Sequence, residues 1–163
     1  MNQGRLWMVS VFGLWIAAIL QQAVSPHLSL WGAKPDFILI LVAPFSLFVP
    51  RKGGSALGFA GGVLQGAIAG ANLAPIAISR AVAGFVGSWS RKIELERNFI
   101  VVSATTFVVS LIAGLVWMFI AAPPGVAVYL GDTIGSAMYN GVLAIPVYML
   151  LERVLNTRSR SGL

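Results

Sequence analysis

Gly54-Ser-Ala-Leu-Gly58-Phe-Ala-Gly-Gly62-Val-Leu-Gln-Gly66-Ala-Ile-Ala-Gly70 places a glycine at every fourth position of an uncharged stretch. A four-residue step turns a helix by about 400°, so these glycines form one ridge that drifts by ~40° per step. A ridge without side chains lets a second backbone approach closely, typically at the right-handed crossing of small-xxx-small pairs in membranes. Two readings stay open. The ridge Gly54, Gly58, Gly62, Gly66 and Gly70 packs within the chain's own bundle, or part of it receives the transmembrane helix of a partner. Because the ridge drifts, it faces more than one neighbour and both can hold.

The rest of the chain points to lipid as the solvent around that helix. Of 163 residues, 58% are hydrophobic and 10% charged, and the mean hydropathy is +0.87. Soluble domains are nearer about a quarter charged, and a soluble fold this small leaves too much surface exposed to hide such a composition. Spanning helices need ~20 mostly apolar residues. Runs of roughly that kind predict one all-α membrane domain of six transmembrane helices, at about 6–25, 35–50, 54–71, 73–89, 98–122 and 126–151, with a basic tail at 152–163. The first run lacks a small-residue cleavage site and reads as a retained helix rather than a signal peptide.

The second run is the weakest, with thirteen apolar residues, Phe37–Val49, and Pro44 among them. Pro35 suits the first helical position and Asp36 the positive helix end. From Pro35 to Pro50 the rise is ~24 Å, short but workable if the flanking Lys34 and Arg51 snorkel.

Six spans with both termini in the cytoplasm place Arg5, Arg51, Lys52, Arg91, Lys92, Arg97, Arg153, Arg158 and Arg160 inside, and Lys34 alone in an outer loop. That follows the positive-inside rule for a bacterial cytoplasmic membrane. A re-entrant second run with the N-terminus outside gives the same tally. Trp7 beside Arg5 as an inner anchor, Trp89 and Tyr148 at inner ends, and Trp31, Trp117 and Tyr129 near outer ones favour six. The basic clusters lie between apolar spans and are not interleaved with aromatics, so they read as topology and anionic-lipid attraction, with no nucleic-acid partner.

Arg80 and Asp132 are the ionisable residues well inside apolar spans. Each is costly there alone. In the six-span topology both stand ~9–10 Å from the outer end of their helices, on faces of small or polar residues that include Gly84 and Asn140. They are expected to face the bundle interior, first as an ion pair that sets helix register, with a ligand or proton-path role, or no mutual contact, as the alternatives. Gln65, with Gln21, Gln22 and Asn72, is expected to join them in interhelical hydrogen bonds.

Catalytic chemistry finds no foothold. His27 is the only histidine, there is no cysteine, and a structural or catalytic metal wants three or four such ligands. No serine is set with a histidine and an acid, and no glycine loop with a lysine makes a phosphate cradle. Neither an enzyme nor a cofactor is expected.

Taken in order, Lys34-Pro35-Asp36, Gly58-Phe-Ala-Gly-Gly-Val-Leu64, Gly70-Ala-Asn-Leu73, and Tyr139-Asn-Gly-Val-Leu143 before Pro146 and Arg153 resemble MreD, the membrane protein of the bacterial rod-shape system. The likeness covers essentially the whole chain. Two positions depart from the family: Gln65 stands where an acidic residue is usual, and Leu73-Ala74 where Leu-Gly is usual. The resemblance implies a non-enzymatic scaffold of cell-shape and peptidoglycan-elongation machinery. It would bind a single-span MreC-like partner, and through it an MreB-like filament and a RodA-like polymerase with its transpeptidase. It also implies a helix layout like that of the substrate-binding subunits of energy-coupling-factor vitamin importers. Such a subunit is the alternative function, with Gln21, Gln22, Asn72, Arg80 and Asp132 lining a pocket for an anionic ligand. A channel is disfavoured, since no charged ring or carbonyl filter is evident.

Overall fold

The computed structural model describes residues 3–90 and 98–156, apart from the side chains of Gln3, Arg5 and Asn156. The charged residues Arg91, Lys92, Glu94, Glu96, Arg97, Arg158 and Arg160 lie outside the described residues. Within them the chain is all-helical: α1 (Gln3–Ala23), a short 3-10 turn (Ser25–Leu28), α2 (Phe37–Ser46), α3 (Arg51–Ala69), α4 (Leu73–Ser90), α5 (Phe99–Ala121) and α6 (Val126–Asn156). Three of these helices, α1, α5 and α6, are long and apolar enough to cross a membrane. Helix α3 opens on Arg51 and Lys52 and is diluted by glycine, which lowers its hydropathy despite its 19 residues.

Helix α2 departs most from expectation. It has ten residues, a rise of ~15 Å, instead of a segment running from 35 to 50. Pro44 lacks an N–H, and the last turn tightens: the amides of Leu47 and Phe48 donate to the carbonyls of Pro44 and Phe45. A helix apolar on every side belongs in a core. Ile38 to Val49 are all buried, and α2 packs against each of the other α-helices. One side of it, through Ile38, Val42 and Phe45, joins Val102, Ala144 and Leu151. The other side, through Leu39 and Ala43, meets Ala83, Val109 and Ala113.

The glycine ridge packs on α4. A β-carbon on Gly62 would come within 2.6 Å of the Ala77 Cα, and one on Gly66 within 2.8 Å of a Leu73 methyl. At Gly58 it would overlap the Arg80 carbonyl oxygen, and at Gly54 the Gly84 carbonyl oxygen. As the α3 positions rise, the facing α4 positions fall, so the two helices are antiparallel. The ridge is shorter than its spacing implies. Gly70 is not a packing position: it is the left-handed cap that ends α3, at φ +61°, with open space around it. Gly61, beside the ridge, faces α1 and α2 through Leu14 and Ile38.

Two further expectations change. Tyr148 is buried and stacks on Phe48 with ring centroids 5.9 Å apart, so it belongs to the core rather than to an aromatic belt. Helix α6 runs through Glu152 and Arg153 to Asn156, because Leu151 and Leu155 still face the core; the tail is therefore helical for its first turn.

Candidate functional site

A ten-residue helix inside a bundle has an acute problem at its N-terminus, where the first amides have no partner within the helix and are costly to leave unpaired. The neighbours of α2 solve it with side chains. Asn140 of α6, itself buried, accepts from the Asp36 amide at 2.8 Å. Gln21 of α1 accepts from the Phe37 amide at 2.7 Å, and Asp36 Oδ1 caps Leu39 N–H at 3.0 Å. The Ser25 hydroxyl donates to the Pro35 carbonyl at 2.7 Å. Ser136 accepts from the Lys34 amide at 3.0 Å. The Asn140 amide also donates to Ser110 of α5 at 3.1 Å.

Arg80 closes the cluster. Its Nη2 pairs with Asp36 Oδ2, its Nε donates to Gln65 Oε1 at 3.1 Å, and its Nη1 donates to Ser79 Oγ at 3.0 Å. Both oxygens of Asp36 are thus in use, one on the helix cap and one on the guanidinium. The side chains of Arg80 and Asp36 are 12% and 14% exposed, so the pair sits in a medium where a lone charge is expensive.

The expected pairing of Arg80 with Asp132 is corrected here. Both residues line one cavity, so the inward orientation of both is as the sequence reading has it. The ion pair, however, is Arg80 with Asp36. Asp36 precedes the second apolar run and reads locally as a helix start, which hides its second role. Gln65 occupies the position where the MreD resemblance expects an acid, and it still offers Arg80 an acceptor, as a neutral amide.

The cluster borders a cavity of about 300 Å³ at the end of the bundle that carries the connections 24–36, 70–72 and 122–125. Gln21, Gln65, Arg80, Asp132 and Asn140 contribute to its wall; Gln22 and Asn72 are exposed instead. Lys34, Ser110 and Tyr129 also line it, none of which stands out in the sequence as a cavity residue. The Tyr129 hydroxyl donates to the Gly114 carbonyl at 2.9 Å and its ring stacks on Trp117 at 5.1 Å. Over Asp132 lies a two-residue turn. Leu30 and Ala33 exchange backbone hydrogen bonds of 2.9 Å, with Trp31 and Gly32 at φ 48° and 90°, the paired positive angles of a tight hairpin turn. Gly32 is so close that a β-carbon there would come within 3.2 Å of the Asp132 carboxyl carbon.

Asn140→Leu tests the scheme. It keeps the bulk and strands the Asp36 amide and Ser110, and should cost ~1–3 kcal/mol. Thermal melting in detergent measures it; an unchanged midpoint would show that the Asp36 amide finds another acceptor.

No known protein family, characterised protein or solved structure matches the chain.

Proposed function

We propose that this protein is a non-enzymatic scaffold subunit of the bacterial cell-elongation machinery. It crosses the cytoplasmic membrane six times with both ends in the cytoplasm, and binds the transmembrane helix of a single-span MreC-like partner. Through that partner it connects to an MreB-like filament and to a RodA-like polymerase with its transpeptidase. The supporting observation is that the segments carrying the resemblance to MreD converge. Asp36 bonds Asn140 and Arg80, and Gly58 lies against the backbone of Arg80. Residues spread over the chain thereby form one brace, which suits a rigid subunit held in an assembly. In such a topology α2 crosses only part of a hydrocarbon layer of ~30 Å, sheltered by its neighbours.

The face of Gly54, Gly58, Gly62 and Gly66 is taken by α4, so the partner helix sits elsewhere. An apolar groove of about 420 Å³ runs between α1 and α6, with Phe37, Ile40 and Leu41 of α2 at its floor. Photo-crosslinkers at Phe12, Ile16 and Leu150 on its walls are expected to capture a single-span protein with a large domain outside the membrane. The exposed positions Phe119 and Val128 should capture it at least ~10-fold less. Equal capture at both sets, or no such protein, would overturn the assignment.

The polar cavity favours one other reading, the substrate-binding subunit of an energy-coupling-factor importer. That reading expects an ATP-hydrolysing module to copurify in place of the single-span protein. The cavity does not fit the anionic ligand expected of it, because the Arg80 charge is already met by Asp36.

A further inference from the structure

Four charged side chains line the polar cavity: Lys34, Asp36, Arg80 and Asp132. Asp36 and Arg80 neutralise each other. Lys34 and Asp132 are left, one cation and one anion, and neither has an ion-pair partner among the described residues. They are neighbours nonetheless. The Lys34 amide is fixed on Ser136, about one turn of α6 beyond Asp132, a step of about 6 Å along the helix. The turn Leu30–Ala33 holds Gly32 against the Asp132 carboxylate and delivers the chain directly to Lys34. The two residues thus border the same space without an ion pair between them.

From this geometry we infer that the cavity binds a small zwitterion, with its ammonium on Asp132 and its carboxylate or phosphate on Lys34. A purely anionic ligand would meet Asp132 unpaired, and a purely cationic one would meet Lys34 unpaired. Either mismatch is penalised where water is partly excluded. A ligand carrying both charges leaves none unmatched. The volume of about 300 Å³ stands at the small end of small-molecule sites, which run from ~300 to 1,000 Å³. It suits a free amino acid or the phosphoethanolamine headgroup of a phospholipid, which share this chemistry. The Gln65 amide and the Ser110 and Thr133 hydroxyls on the wall supply neutral hydrogen-bonding groups for the rest of the ligand. The inference does not depend on the scaffold reading: a crosslinked partner protein and a bound zwitterion are read out separately, and either can fail alone.

The test uses the full chain in a neutral maltoside detergent, titrated calorimetrically with sn-glycero-3-phosphoethanolamine and, separately, with pooled and then single amino acids. Ethanolamine and inorganic phosphate serve as single-charge probes. At least one zwitterion is expected to saturate the protein and to bind about tenfold or more tighter than either single-charge probe. Saturation by glycerophosphoethanolamine identifies a lipid headgroup as the source, and saturation by an amino acid a free metabolite. Asp132→Asn and Lys34→Gln should each weaken that binding by about tenfold or more while the unliganded melting temperature stays near that of the parent. Lys34→Gln lies on an exposed connection and keeps the test valid should Asp132→Asn fold poorly. Binding by neither zwitterion class, equal binding of the single-charge probes, or full affinity in Lys34→Gln would overturn the inference.

Discussion

Gly58→Ala is expected to cost ~3 kcal/mol or more, at the upper end of core overpacking, and Gly58→Leu to leave no folded protein. The added carbon would meet the Arg80 carbonyl, with the Arg80 carbonyl carbon at 2.7 Å and the Ala81 nitrogen at 3.2 Å. All of these are backbone atoms, so no rotamer change relieves the contact; α3 and α4 must separate along their whole length. Separation also withdraws Arg80 from Asp36, since the obstructed carbonyl and the paired guanidinium belong to one residue. Gly131→Ala is the internal control. It changes the same residue type in a helix interior with nothing within 4 Å, and should stabilise by ~0.5–1 kcal/mol because alanine loses less backbone entropy. Melting of the three proteins in one detergent decides the matter. A Gly58→Ala protein that melts with the parent would mean that the two helices do not meet at that position.

Arg80→Ala comes next in size. It strips the counter-charge from a carboxylate that is 14% exposed, a change worth ~3–5 kcal/mol for buried pairs. Arg80→Lys should recover only part of this, because one ammonium cannot reach Asp36, Gln65 and Ser79 together as the planar guanidinium does. Asp36→Asn isolates the charge, since asparagine caps a helix about as well as aspartate. The double variant Arg80→Ala with Asp36→Asn should therefore be markedly less damaged than the two single costs added together, a coupling of ~1 kcal/mol or more. Arg80→Ala combined with Asp132→Asn should come closer to additivity. Unfolding titrations of the singles and doubles measure both couplings, and a stronger coupling of Arg80 to Asp132 than to Asp36 would refute the pairing.

Several features were legible before any tertiary information. Helical class follows from long apolar runs bounded by Pro35, Pro50, Asn72 and the Pro123-Pro124-Gly125 turn. The close approach at Gly58 and Gly62 follows from residue spacing alone, because a stripe without β-carbons is useful only against another backbone. The inward placement of Arg80 and Asp132 follows from the cost of charge among apolar residues. Other readings went astray where a residue has two neighbours at once. Asp36 carries a helix cap, which is local, and an arginine partner 44 positions away, which is not. Gly70 fits the four-residue spacing yet ends the helix, because spacing cannot distinguish the last packing glycine from a cap. Tyr148 lies near the end of the predicted sixth span, as belt residues do, but the helix continues to Asn156 and Phe48 stacks on it.

The amino-acid order by itself determined which faces of each helix are small, apolar or polar, since those properties repeat along the chain with the helical period. Which faces meet was decided by the tertiary structure alone: α4 rather than another helix on the glycine ridge, Asp36 rather than Asp132 on Arg80, and α2 enclosed by all the rest. The physical reason is that one helix face is chemically compatible with several others, and the choice among them comes from satisfying every buried amide and charge at once.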